Sequence, residues 1–217
     1  MPNFEFEKQH IGLIAGTDEA GRGPWVGSVV AAAVCFPDLK IPEELASQLN
    51  DSKKLSAKKR EKLFDMIYQS GAFIGVGQAS AEEIDQINIL QASFLAMRRA
   101  LEQIESAGHS IDFVLIDGNR HPRDWKWPSQ EIIKGDALSL SISAASIIAK
   151  VTRDRLMCVL AEEYPGYGWE KNAGYGTAEH IAALKEKGIT PYHRKSYAPI
   201  AALLQEKDLP LLSGGKG

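Results

Sequence analysis

The stretch Ile11-Gly-Leu-Ile-Ala-Gly-Thr-Asp-Glu-Ala-Gly-Arg-Gly-Pro24 decides how this chain reads. An apolar run ends in two adjacent carboxylates, Asp18 and Glu19, and Gly21-Arg22-Gly23 follows at once. Adjacent acids repel, so they are poor structural choices unless something positive lies between them. A divalent cation is the obvious candidate. The glycines let a backbone approach a second, bulky partner closely. One short loop therefore offers a cation site beside a phosphate- or sugar-reading site.

Working outward, residues 11–17 read as a first strand. Residues 26–36, apolar and β-branched almost throughout, read as a second strand buried on both faces. The tight Gly-Arg-Gly-Pro connection makes that pair antiparallel. Ser56 caps a predicted helix to about Ser70, residues 73–79 form a third strand, and Ser80 with Glu83 spells a capping box. Leu90, Phe94, Met97, Leu101 and Ile104 line one side of the helix that follows, which ends at Gly108. Residues 113–116 and 130–134 read as further short strands ending at Asp117-Gly118 and Gly135-Asp136. A long helix is expected over 138–164, an irregular Gly- and Tyr-rich stretch over 164–176, and helices over 177–187 and 198–207. Three strands of antiparallel character, then strands alternating with helices, make a mixed α/β sheet covered on both faces.

Composition sets the bounds. The 217 residues, 44% of them hydrophobic, suit one ordinary domain with a real core. No apolar run approaches the ~20 residues of a membrane span, and no signal-peptide pattern opens the chain. Cys35 and Cys158 stand alone in apolar contexts, which argues for a reducing compartment and a cytoplasmic location. The five histidines are scattered, so no zinc-type ligand spacing competes. The net charge of −3 mildly disfavours nucleic acid, but local distribution matters more, and residues 51–62 hold six basic side chains. Such a run also suits a solvated helix start.

Three predicted strand ends carry acids: Asp18-Glu19, Asp117 and Asp136. In open α/β sheets, sites gather at strand ends. Mg²⁺ and Mn²⁺ take oxygen ligands, and a pair of such ions activates water and stabilises a leaving oxygen in phosphodiester cleavage. Taken singly, Asp117-Gly118 and Gly135-Asp136 read equally well as turns. Successive strand residues face opposite sides, so Asp18 and Glu19 share a site only if the chain leaves strand geometry there.

The ordered motifs resemble those of bacterial ribonuclease HII. They are Asp18-Glu-Ala-Gly-Arg-Gly-Pro24, Asn50-Asp-Ser-Lys-Lys-Leu55, Glu83-Ile-Asp85 with Asn88-Ile-Leu90, and Leu115-Ile-Asp-Gly-Asn119. Lys134-Gly-Asp136, Ala144-Ala-Ser-Ile-Ile-Ala-Lys-Val-Thr-Arg-Asp154, Tyr175-Gly-Thr177 and His193-Arg-Lys-Ser-Tyr197 complete the set. The resemblance implies a ribonuclease H-like fold: a five-stranded mixed sheet flanked by helices, with a helical C-terminal part. As one domain, its catalytic core would span about 11–165, the helical part 166–207 and a disordered tail 208–217. It implies cleavage of the RNA strand of RNA–DNA hybrids, and nicking at ribonucleotides embedded in duplex DNA, leaving 3′-hydroxyl and 5′-phosphate ends. It implies Mn²⁺ or Mg²⁺ held by Asp18, Glu19, Asp117 and Asp136. Gly21, Arg22 and Gly23 would read the 2′-hydroxyl, the group that separates RNA from DNA. Tyr175 would sense the RNA–DNA junction. Lys53, Lys54 and Arg194 become candidate phosphate contacts, with Lys195 beside them. Lys150 either reaches phosphate or pairs with Asp154 four residues on. Ala173 replaces a lysine, and Trp25 a smaller aliphatic residue, relative to the family pattern.

A related DNA-only nuclease or strand-transfer enzyme would share such an acidic site but needs no 2′-hydroxyl reader. A non-catalytic hybrid-binding module would not keep four acids beside phosphate. No Walker-type phosphate loop occurs. A monomer is expected, and the sequence names no sliding-clamp or replication partner.

Overall fold

In the computed structural model, residues 1–49 and 55–205 are described. Five strands form one sheet: β1 (Ile14–Ala20), β2 (Val29–Cys35), β3 (Phe73–Ala79), β4 (Phe113–Asp117) and β5 (Ser129–Ile132), in the order β3-β2-β1-β4-β5. β1–β2 and β2–β3 are antiparallel, whereas β1–β4 and β4–β5 are parallel. The mixed sheet expected from the sequence is thus observed. Seven helices accompany it among the described residues: α1 (Glu43–Ala46), α2 (Ala57–Gln69), α3 (Ala81–Ser106), α4 (Leu140–Glu163), α5 (Trp169–Asn172), α6 (Ala178–Lys187) and α7 (Ala198–Gln205).

Every residue of β2 is buried, because the sheet is covered on both faces. Val29, Ala31, Ala33 and Cys35 join the core under α3, with Ala96, Met97, Ala100 and Leu101. Ala32 and Val34 join the opposite core, with Leu63 and Ile67 of α2 and Ala144, Ala145 and Ile148 of α4. Two close approaches need glycine. A Cβ on Gly75 or Gly77 would strike the α3 backbone at Ala100 or Ala96, and one on Gly16 would strike the start of α4 at Ser141 and Ile142. α4 therefore lies tight against β1, the strand that carries Asp18.

Several boundaries differ from the sequence expectation. β1 starts at Ile14, because Ile11 is 95% exposed and Gly12 takes a positive φ. β2 starts at Val29 rather than Val26, since Val26 forms an isolated antiparallel bridge to His193 in the C-terminal part. β5 ends at Ile132, because Lys134 turns into the left-handed region with φ 60°. The capping box at Ser80 and Glu83 is present, but α3 kinks at Asn88 (φ 67°). Asn88 Oδ1 then accepts from the amides of Leu90 and Gln91, at 3.0 and 3.2 Å, and so recaps the remainder of the helix. A short helix, α5, lies within the stretch expected to be irregular. The predicted 208–217 tail lies outside the described residues.

Candidate active site

Parallel pairing of β1 with β4 aligns Thr17 with Ile116, so Asp18, two residues short of the end of β1, lies beside Asp117, the last residue of β4. Asp117 in turn pairs with Ile132, whose chain continues into Gly135–Ala137. There the Asp136 amide donates to Asp117 Oδ1 at 3.4 Å. Gly135 permits this: a Cβ there would press on Ile142 and come within 3.2 Å of Asp117 Oδ1. Three acids distant in sequence are thereby brought to one edge of the sheet.

The expected break in strand geometry between Asp18 and Glu19 does not occur. Pairing to β2 stays regular through Asp18–Ala32, Glu19–Ala31 and Ala20–Val30, and the chain departs only at Gly21, with φ 96°. Neighbouring strand residues face opposite sides, so the two side chains leave β1 on opposite faces, although the Glu19 charge still acts on Asp18. Asp18 is buried and accepts from the Glu19 amide at 2.7 Å. Burial, then the charges of Glu19 and Asp117, hold its carboxyl well above the ordinary aspartate range, opposed by a hydrogen bond from Ser146 of α4. Glu19 Oε1 pairs with Arg22 at 3.2 Å.

Among the described residues, no three acidic, imidazole or thiol side chains already stand as a finished cation cage. The donor set nonetheless suits a hard divalent cation: all-oxygen, acidic, and repulsive enough to raise Asp18, a repulsion that a cation between the carboxylates relieves.

The glycine loop lies beside this edge. Tyr175 is half exposed, and its ring sits against Gly23, with Cε1 3.3 Å from where a Gly23 Cβ would be. The structure thus joins Gly23 to Tyr175, which are far apart in sequence. Trp25 fills the space behind them. It packs on Gly176, its amide donates to Gly174 O at 2.9 Å, and its carbonyl accepts from the Arg194 amide at 2.8 Å.

Arg194 corrects the expectation of a phosphate contact. It is wholly buried, and its guanidinium is committed to Gly27 O, Arg22 O, Gly21 O and the Tyr197 hydroxyl. Lys150 takes the simpler of its two options, pairing with Asp154 at 2.6 Å. The side chain of Lys195 is exposed, while its amide donates to Asp85 Oδ2 at 2.9 Å. Lys53 and Lys54 lie outside the described residues.

Sequence reasoning missed four supporting residues. Asp85 also accepts from the Ser196 amide and hydroxyl at 2.8 and 2.6 Å, which ties the C-terminal part to α3. Arg153 is buried against the carbonyls of Ser28, Ala173 and Val26. Ser146 supports Asp18. Glu7 is buried at the start of α4, where its Oε1 accepts from Ser139 Oγ at 2.6 Å and the Ser141 amide at 3.1 Å. Asp85, Ser146 and Arg153 fall inside motifs visible in the sequence. Glu7 gives no sequence signal.

A family model described as Ribonuclease HII matches residues 15–200. The chain is 51% identical to the Ribonuclease HII of Rhodospirillum rubrum over 97% of its own length and 95% of that protein's. Among solved structures, it resembles the ribonuclease H2 of Pyrococcus horikoshii OT3, at 26% identity and a TM-score of 0.69, covering 89% of this chain and 98% of that one. It also resembles the RNase HII solved in complex with PCNA from Archaeoglobus fulgidus, at 26% identity and a TM-score of 0.65, covering 85% and 95%. With the acidic sheet edge, the family match and the shared fold in agreement, the chain belongs to the ribonuclease HII family and is a nuclease of the ribonuclease H type.

Proposed function

We propose that this protein hydrolyses the RNA strand of RNA–DNA hybrids and nicks duplex DNA at embedded ribonucleotides, leaving 3′-hydroxyl and 5′-phosphate ends. The observation that carries the reading is the juxtaposition of the Asp18–Asp117 edge with the Gly23–Tyr175 contact. A DNA-only nuclease has no use for a sugar reader next to its acids.

In this proposal Asp18, Glu19, Asp117 and Asp136 hold Mn²⁺ or Mg²⁺. Bound there, the ions supply positive charge to the phosphodiester and lower the pKa of the attacking water. The protein's own groups do the rest. Ser146 and the Glu19 amide orient the Asp18 carboxylate, and the Asp136 amide orients Asp117. The Gly21–Gly23 backbone meets the 2′-hydroxyl and flanking phosphates, and Tyr175 packs on the sugar at the junction. Lys53 and Lys54 contact phosphate further along, so log affinity should fall linearly with log salt. A flat plot would remove that assignment.

The enzyme is proposed to be a cytoplasmic monomer. Because the Archaeoglobus neighbour was solved in complex with PCNA, a sliding clamp is a candidate partner. The direct test uses a duplex holding one ribonucleotide, incubated with Mg²⁺, with Mn²⁺ or with chelator. A single cut on the 5′ side of the ribonucleotide would leave DNA with a 3′-hydroxyl, and a cut on its 3′ side would leave the ribonucleotide itself with the 3′-hydroxyl. Either metal-dependent cut supports the reading, whereas cleavage of the all-DNA control or cleavage in chelator overturns it. Tyr175→Ala should lower cutting of this duplex about tenfold more than cutting of a long hybrid, a loss of the order that removing an aromatic ring from a nucleotide contact brings, ~1–3 kcal/mol for a stacked base. Equal losses would end the junction role.

A further inference from the structure

Two arginines are buried behind the glycine loop, and among the described residues neither has a carboxylate hydrogen-bonded to it. Arg194 Nε donates to Gly27 O at 2.9 Å, Nη1 to Arg22 O and the Tyr197 hydroxyl oxygen at 3.0 Å each, and Nη2 to Gly21 O at 2.6 Å. The Tyr197 hydroxyl donates to the same Arg22 carbonyl. Arg153 holds the far end of the loop through Val26 O and Ser28 O at 3.1 and 3.3 Å. Burial, then the neighbouring Arg194 charge, pushes the Arg153 guanidinium down to about 10. Burying two cations side by side is costly unless their donors are satisfied. Here most of the acceptors are main-chain carbonyls of the one loop that abuts Tyr175 and the acids, joined by the Tyr197 hydroxyl and Ala173 O.

The direction of those carbonyls matters. A peptide's C=O and N–H point oppositely across its plane. Pulling the Gly21 and Arg22 carbonyls inward turns the amides of Arg22 and Gly23 outward. Arg194 is itself fixed from the other side, because Asp85 accepts from the Lys195 amide and from the Ser196 amide and hydroxyl.

We infer that Arg194, completed by Tyr197, is a positioning residue that presents the amide face of Gly21–Gly23 to the substrate sugar and so sets discrimination between RNA and DNA. The inference rests on the proposed reading of Gly21–Gly23 as the 2′-hydroxyl reader. A rigid, planar fork is what the geometry uses, and lysine cannot supply it.

The test is binding under non-cleaving conditions, with Ca²⁺ as the only divalent ion. Dissociation constants are measured for a duplex with one ribonucleotide and for the same duplex in all-DNA form. For Arg194→Lys the ratio of the two constants should fall about tenfold, the order expected for loss of one hydrogen bond to the sugar, while all-DNA binding changes less than about threefold. Tyr197→Phe removes one hydroxyl and should lower the ratio by a smaller factor with melting temperature nearly unchanged, which keeps the question answerable if Arg194→Lys does not fold. An unchanged ratio in both variants overturns the inference, as does equal weakening of both duplexes. Gly23→Ala separates the two layers, since its methyl would press on the Tyr175 ring. If Gly23→Ala keeps the ratio, the sugar-reader assignment itself fails. If Gly23→Ala collapses the ratio while Arg194→Lys and Tyr197→Phe keep it, only the positioning role fails.

Discussion

Asp18 shows how a single side chain can be built against the stability of its own fold. Its carboxyl is buried and sits beside Glu19 and Asp117, and both effects raise its pKa in the folded chain. A folded-state pKa above the unfolded one means that ionisation favours unfolding, so near neutral pH the metal-free protein carries a penalty. Asp18→Asn should therefore raise the metal-free melting temperature by a few degrees, roughly 1–2 kcal/mol, while cutting cleavage by about 10³-fold or more. Calorimetry and a cleavage assay on one preparation check both. A variant that is less stable than wild type without metal would sink the account of the repulsion, and near-normal activity would sink the metal assignment. Wild type should gain stability on adding Mn²⁺ or Mg²⁺, and the variant much less. Asp18 and Glu19 were legible as a pair because they are adjacent in sequence. Arg194 was legible only as a basic residue, and its burial reverses what that basic residue does.

At the scale of elements, the site depends on a segment that sequence patterns did not single out. Asn3 pairs on either side of Ser139, donating to Leu138 O and accepting from the Leu140 amide at 3.0 and 3.1 Å. Glu7 closes the start of α4 through Ser139 and Ser141. The chain so pinned follows Gly135–Ala137 directly, which makes the N-terminal segment a brace for Asp136. Glu7→Ala should cost about 2–3 kcal/mol in denaturant unfolding, the usual loss for a buried cap with two hydrogen bonds. It should also lower turnover with little change in KM, because Asp136 shifts while the Gly21–Gly23 loop, the proposed sugar reader, does not. An unchanged turnover in a destabilised variant would show that the brace is structural only. Strand and helix identities were readable from periodicity, including β3 and the Ser80 cap. The ends of β3, α2 and α6 were also readable, but those of β2 and β5 were not, because Val26 leaves β2 for a bridge to His193 and Lys134 turns left-handed after β5.

Across the whole molecule, the C-terminal part is held together by a buried imidazole pair, His180 and His193. The Thr190 amide donates to His193 Nδ1 at 2.9 Å, which leaves the His193 proton on Nε2 to reach His180 Nε2 at 3.1 Å. His180 also accepts from Trp169 Nε1 at 3.2 Å, and its Nδ1–H faces Tyr175 O at 2.9 Å. Burial, then the neighbouring His180, pushes His193 down to about 3, and burial lowers His180 too. Both stay neutral in the fold, whereas an unfolded histidine takes up a proton near pH 6.5. Their contribution is complete above that pH and is lost as pH falls below it; for His193 the window runs from about 6.5 to 3, at up to about 1.4 kcal/mol per unit, and His180 adds in the same direction. Melting temperature should fall between pH 7.5 and 5.5, and His193→Gln should flatten that slope; equal slopes would exclude the pair as the cause. By itself, the sequence determined the mixed α/β class and the family, because apolar periodicity and contiguous motifs are local properties; of the acids expected at strand ends, only Asp117 ends one, since β1 runs on to Ala20 and Asp136 lies in the turn after β5. Only the tertiary structure decided that Arg194 serves the loop rather than phosphate, that Asp85 anchors the Ser196 turn, and that Glu7 caps α4. Those contacts join residues 173, 111 and 132 positions apart, and a buried polar group takes whichever partner packing brings to it, which no local pattern records.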